Sequence, residues 1–179
     1  IWTSVRDKMG TSGKLEGDWS DWQHYPQGAE LYISDRQGGH VKRLTNNDYY
    51  EAEVTVSPDG KWIVFGRQIK GNMDLWVMNA DGTGEHQITF TEDWQEGAPY
   101  FLPDSNTILF RAWKASEYGQ RPTPMTIFTI KRDGSDLKTQ THTHEMNWAP
   151  YPTPDGKHFL YVRIEPGSNN WEVYLGEID

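Results

Sequence analysis

The sequence predicts an all-β chain of short antiparallel strands, and three observations lead there. Apolar segments are short, rich in Val, Ile, Phe, Tyr, Trp and Thr, and bounded by Gly, Pro, Asp and Asn, which is the pattern of strands between turns. No window keeps its apolar residues in step with a 3.6-residue period, so almost no helix is expected. Finally, a block of sequence returns. Ser57-Pro58-Asp59-Gly60 recurs as Leu102-Pro103-Asp104-Ser105 and as Thr153-Pro154-Asp155-Gly156, at an interval of roughly 45–50 residues that marks a repeat architecture.

Each repeat builds its strands in the same order. Pro at the second position and Gly at the fourth suit a type I turn, which ends an innermost strand. A second strand follows the turn: Trp62-Ile63-Val64-Phe65, Ile108-Leu109-Phe110 and Phe159-Leu160-Tyr161-Val162. The third strand is present as Glu30-Leu31-Tyr32-Ile33, Asp74-Leu75-Trp76-Val77, Thr126-Ile127-Phe128-Thr129 and Glu172-Val173-Tyr174-Leu175. A turn with Gly38-Gly39, Asp81-Gly82 or Asp133-Gly134 comes next, and Asp-Gly supplies the positive φ of a tight hairpin. The outermost strand ends at Leu44-Thr45, Ile88-Thr89 or Gln140-Thr141.

Four strands in a repeat of this length make a β-propeller blade. The chain reads as about four antiparallel blades, with parts at 1–47, 48–90, 91–141 and 142–179. The middle two are whole; the first lacks its innermost strand and the last its outermost. Propellers protect strand edges by closing their ring, so a ring of six to eight blades is expected, extending beyond these residues at both ends. A start at Ile1 rather than Met is expected either from removal of a leader or from a piece of a longer chain.

Composition excludes several classes of function. The 179 residues carry 17 basic and 26 acidic side chains, a net charge of −9, whereas a duplex-binding face is basic; no nucleic-acid partner is expected. With no cysteine there are no disulfides, no thiol catalysis and no Cys-ligated zinc. No apolar run approaches the length of a membrane span. Phosphate-loop, dinucleotide, nucleophile-elbow and zincin motifs are all missing. Aromatic residues reach 13%, and many fall on repeated strand positions.

A site is expected at the mouth of the channel, where the connections into each innermost strand and those between second and third strands lie on one face. Seven residues before each turn proline stand Glu51, Glu96 and Asn147, just ahead of the innermost strand. At the ends of the second strands stand Arg67, Arg111 and Arg163. Such a ring either pairs internally and ties blades together, or offers carboxylates and bidentate guanidiniums to a ligand or partner. Two connections are long, 7–29 with Trp19 and Trp22, and 113–124 with Pro122 and Pro124. Trp94 and Trp148 are expected in the connections on the same face. Loop tryptophans suit sugar stacking or an interface anchor, or else pin their own loops. His142 and His144 are the metal-ligand candidates, but their spacing falls short of a zinc motif; no metal and no cofactor is expected.

The run Asp74-Leu75-Trp76-Val77-Met78-Asn79-Ala80-Asp81-Gly82-Thr83-Gly84, with Val56-Ser57-Pro58-Asp59-Gly60-Lys61 and Thr3-Ser4-Val5-Arg6-Asp7, resembles the WD-like propeller repeats of the TolB-type family. The resemblance covers nearly the whole chain. It implies an exported bacterial propeller, periplasmic or extracellular, acting as a non-catalytic binding or scaffold module with a protein partner; a small-molecule or carbohydrate ligand also fits. Because the same repeats occur in lyases and in peptidase propellers, two alternatives stay open. One is a lyase or hydrolase acting on acidic sugars, and the other is the accessory propeller of a peptidase. Fold does not decide among them.

Overall fold

A computed structural model describes residues 1–8, 20–165 and 167–179. Among them lie four antiparallel sheets and a short 3-10 turn at Ala115–Glu117, with no α-helix. The first sheet is β1 (Trp2–Ser4), β2 (Glu30–Ile33) and β3 (Lys42–Arg43). The second is β4 (Tyr50–Val56), β5 (Trp62–Ile69), β6 (Asn72–Asn79) and β7 (His86–Gln87). The third is β8 (Trp94–Phe101), β9 (Thr107–Lys114), β10 (Thr126–Lys131) and β11 (Lys138–Thr139). The last is β12 (Met146–Pro152), β13 (His158–Ile164) and β14 (Glu172–Glu177). Neighbours in sequence are neighbours in each sheet, the meander of a propeller blade.

Three apolar layers lie between successive sheets. Leu31, Ile63, Phe65 and Met78 join the first to the second. Val64, Leu75, Phe101, Ile108 and Phe110 join the second to the third. Leu102, Leu109, Ile127 and Phe159 join the third to the fourth. Strands that are buried on both faces, such as β5 with six consecutive buried residues, follow from being covered on both sides.

Two devices repeat with the blades. The outermost strands are only two residues long, so a threonine just beyond each completes the pairing. The hydroxyls of Thr45, Thr89 and Thr141 accept the N–H groups of Leu31, Leu75 and Ile127 at 2.8–2.9 Å. That is the physical reason for the recurring threonine. In addition, β4, β8 and β12 each carry a bulge. Its left-handed residue is Glu53, Ala98 or Ala149, with φ of 54°, 47° and 52°. All three precede the turn proline by the same interval, and the bulge re-aims the strand and frees backbone donors.

Candidate functional site

Glu51, Glu96 and Asn147 lie within β4, β8 and β12 rather than ahead of them, and all three are buried. Glu51 stands opposite Arg67, and Asn147 opposite Arg163. Glu96 breaks the series: it faces Ala112, while Arg111 faces Gly97. Side chains alternate across a strand, so a shift of one residue sends Arg111 to the other face. The expected ring of three arginines is therefore two arginines and a gap.

Arg67 is 3% exposed. Its Nε donates to Glu51 Oε1 at 2.7 Å, and its two terminal nitrogens meet both oxygens of Glu85 at 3.2 and 2.7 Å. Aromatic rings wall the guanidinium, with the Trp76 centroid 4.3 Å from Cζ and the Phe65 centroid 5.3 Å away. Glu51 also accepts from Asn47 Nδ2 at 2.8 Å and from the Thr45 hydroxyl. Arg163 repeats the arrangement with a neutral partner. Its Nε donates to Asn147 Oδ1 at 3.1 Å and pairs with Glu145 at 3.1 Å, and the Tyr174 centroid lies 4.5 Å from Cζ. Both guanidiniums are occupied by this chain's own acceptors.

Glu96, 2% exposed, has one bonded oxygen: Oε1 accepts from the Thr91 hydroxyl at 2.8 Å. Its Oε2 has no hydrogen-bond partner among the described residues. Burial, with a smaller push from the Asp74 carboxylate, raises its pKa to about 8 against the pull of the Thr91 bond. Arg111 instead reaches over the β8 backbone and pairs with Glu53 at 3.0 Å. Gly97 permits the crossing, because a Cβ there would lie 2.7 Å from Arg111 Nη1 and 2.1 Å from Glu53 Oε2. Glu53 Oε2 also accepts the Ala98 N–H at 2.7 Å, tying the second sheet to the bulge of the third.

The connection entering β2 crosses the second sheet toward the third. Gln68 Nε2 donates to the Trp22 carbonyl. The Trp22 ring meets Trp113 edge-on at 4.9 Å and Tyr118 at 5.7 Å. Beside this aromatic cluster a groove of about 810 Å³ is lined by Trp22, Gln23, Tyr25, Lys70, Glu92 and Gln95, among others. Tyr25, Trp113 and Gln95 were not singled out from the sequence; only their position on the long connection and at strand ends would have signalled them.

Trp94 and Trp148 are strand residues, not connection residues. Trp94 packs edge-on against Phe128 at 5.4 Å, and Trp148 meets Trp171 at 5.6 Å. Trp19 lies outside the described residues. His142 and His144 are exposed, with His144 Nε2 3.5 Å from Glu117. Among the described residues no group of three or more His, Asp or Glu is placed to hold a metal ion. No helix among them is long and apolar enough to cross a membrane.

Comparison with known proteins agrees with the blade geometry. The chain is 28% identical over 147 residues to an uncharacterized protein of Agrobacterium fabrum, covering 76% of this chain and 48% of that protein. It therefore spans about half the length of this relative. In fold it is similar to a protein assigned as TolB from Agrobacterium tumefaciens, with a TM-score of 0.67, 24% identity, and coverage of 83% of this chain and 53% of that one. TolB from Acinetobacter baumannii also gives a TM-score of 0.67, at 19% identity, covering 89% of this chain and 36% of that one. A family profile matches residues 25–178, nearly all the described blades, and by that match the chain belongs to the Tricorn protease N-terminal beta propeller domain family.

Proposed function

We propose that these blades form a binding propeller that holds a protein partner at the face carrying the long connections. The observation that carries this reading is the groove of about 810 Å³ beside the Trp22–Trp113–Tyr118 cluster. Its lining joins strand residues Asn72 and Gln95 to the Lys70–Gly71 turn, and its wall is a connection pinned to two blades, an arrangement that suits recognition. Each sheet with its connections acts as one blade unit, dividing the chain at 47/48, 90/91 and 141/142. The proposed setting is the bacterial periplasm or the cell exterior, supported by the TolB-type resemblance.

The accessory-propeller reading shares this site and is supported by the peptidase origin of the family profile. There the groove would receive the substrate chain or the enzyme's own catalytic domain. The acidic-sugar reading asks Arg67, Arg111 and Arg163 to grip carboxylates, yet each guanidinium already pairs with Glu51, Glu53 or Glu145.

A rim variant tests the proposal. Glu92 and Gln23 are exposed on the groove edge. Glu92→Lys with Gln23→Lys is expected to weaken a purified partner by at least about tenfold without changing the melting temperature. Unchanged affinity in the double variant would move the partner to another face.

A further inference from the structure

We propose that the pocket above Glu96, between the second and third blades, is a receptor for a guanidinium group supplied from outside this chain. The inference deepens the binding reading given above, because a partner's arginine side chain is one source of that group.

The argument rests on comparing blades position by position. Phe65 pairs across the strands with Trp76, and together they wall the Arg67 guanidinium. At the same register Phe110 pairs with Phe128. Trp94 stands two residues before Glu96, as Tyr49 stands before Glu51, and Tyr49 lies 5.9 Å from Arg67 Cζ. Leu137 follows the turn glycine Gly134 by the interval at which Glu85 follows Gly82. The third blade thus keeps the aromatic walls and the buried carboxyl while Ala112 stands where Arg67 and Arg163 stand. What the shorter side chain leaves is a cavity of about 140 Å³ whose lining includes Trp94, Glu96, Phe110, Ala112, Phe128 and Leu137. Glu96 is one of its lining residues, and the Oε2 of that carboxyl is buried with no protein partner among the described residues.

Chemistry selects the occupant. Aromatic faces attract cations, and planar guanidinium stacks on them while forking to a carboxylate. A buried carboxyl oxygen without a donor is costly, and a charged donor relieves that cost. The second and fourth blades show which group the same walls accept in this molecule. Leu137 and Phe90, 58% and 76% exposed, leave apolar surface at and beside the cavity; Phe90 lies between the lining residues Thr89 and Thr91.

Methylguanidinium is the probe, titrated into the full-length protein with Trp fluorescence and calorimetry as readouts. Saturable binding is expected, with methylurea, its neutral analogue, at least roughly tenfold weaker. Glu96→Gln should weaken methylguanidinium by about tenfold or more, and Leu137→Glu should tighten it. Ala112→Arg should fill the cavity from within and abolish binding. If Ala112→Arg does not fold, the Glu96→Gln and Leu137→Glu pair carries the test. Absence of saturation, or equal binding by Glu96→Gln, overturns the proposal. An arginine-bearing peptide from the partner that binds more tightly than methylguanidinium identifies a macromolecular source, and equal affinity identifies a small guanidino compound. If methylguanidinium binds and Ala112→Arg leaves the partner untouched, the pocket stands and its use by that partner fails. If the groove variant loses the partner while methylguanidinium never binds, the partner-binding reading stands and the pocket proposal falls.

Discussion

The Arg67 pocket and the Glu96 pocket share a backbone, a register and a ring of aromatic walls, yet one is filled by this chain and the other is not. In the first, Glu51 accepts from Thr45, Asn47 and Arg67. In the second, Glu96 has a single threonine hydroxyl. The difference comes from one strand position, Ala112 in place of Arg67, and from Leu137 in place of Glu85. A repeat fold lets such a substitution be read directly, because the neighbouring blade is an internal control for backbone and packing. Burial raises the pKa of both carboxyls, and the donors around Glu51 hold that rise in check while Glu96, with one hydroxyl, is pushed to about 8.

The comparison breaks most visibly by emptying the filled pocket. Arg67→Ala leaves Glu51 and Glu85 without their cation, and is expected to destabilise by about 3–5 kcal/mol. Urea melts at neutral pH read the loss. A change under about 1 kcal/mol would show that Glu51, like Glu96, sits there neutral, and the two pockets would no longer differ in kind.

Glu96→Gln tests the other side. The folded pKa of Glu96, about 8, stands above its usual 4.5, so the folded state holds the proton more tightly than the unfolded chain. This group therefore favours folding fully below pH 4.5, and the contribution is lost as pH rises toward 8. Asp74 and Arg111 are the charged neighbours that act on it. The glutamine variant should match wild type near pH 4 and exceed it by a few kcal/mol, on the order of the shift, at pH 8. A gap that stays flat across pH would mean that Glu96 is ionised and already paired.

A smaller effect separates the two threonines. Thr45 accepts the Leu31 N–H and donates to Glu51, whereas Thr89 accepts the Leu75 N–H and only grazes Asp74 at 3.4 Å. Thr45→Val should destabilise by about 2–3 kcal/mol and Thr89→Val by about 1 kcal/mol. Equal losses would place the threonine's role in the strand pairing alone.

Much of this was legible in the residues, and the failures were specific. The Pro-Asp turns, the short strands and their order in four sheets follow from local turn chemistry and alternation, which one sequence displays. Glu51 with Arg67 and Asn147 with Arg163 follow from counting back and forward from a proline. Arg111 was misplaced because it sits eight residues after Pro103, whereas Arg67 and Arg163 sit nine after theirs. In a strand an odd difference reverses the face, so the count itself held the warning. Trp94 and Trp148 are strand rather than connection residues because β9 and β13 run far enough to pair with them, Lys114 opposite Trp94 and Val162 opposite Trp148. The crossing of Trp22 onto Trp113 was not legible, since contacts between a connection and a distant blade leave no local pattern.

The smallest effect concerns the cation that this chain does bring near the Glu96 pocket. Lys114 lies two residues beyond Ala112 on β9 and so on the same face. Its Nζ stands 5.2 Å from the Trp94 centroid. A flexible ammonium at that distance is worth about 0.5–1 kcal/mol at a partly exposed ring, less in high salt. Lys114→Ala should therefore shift the urea midpoint slightly, without altering the pH dependence assigned to Glu96. A loss above about 2 kcal/mol, together with a steeper fall in stability between pH 4.5 and 8, would show that Lys114 donates to Glu96. The empty pocket would then be a second, looser version of the filled one, with lysine doing from two residues away what Arg67 does in place.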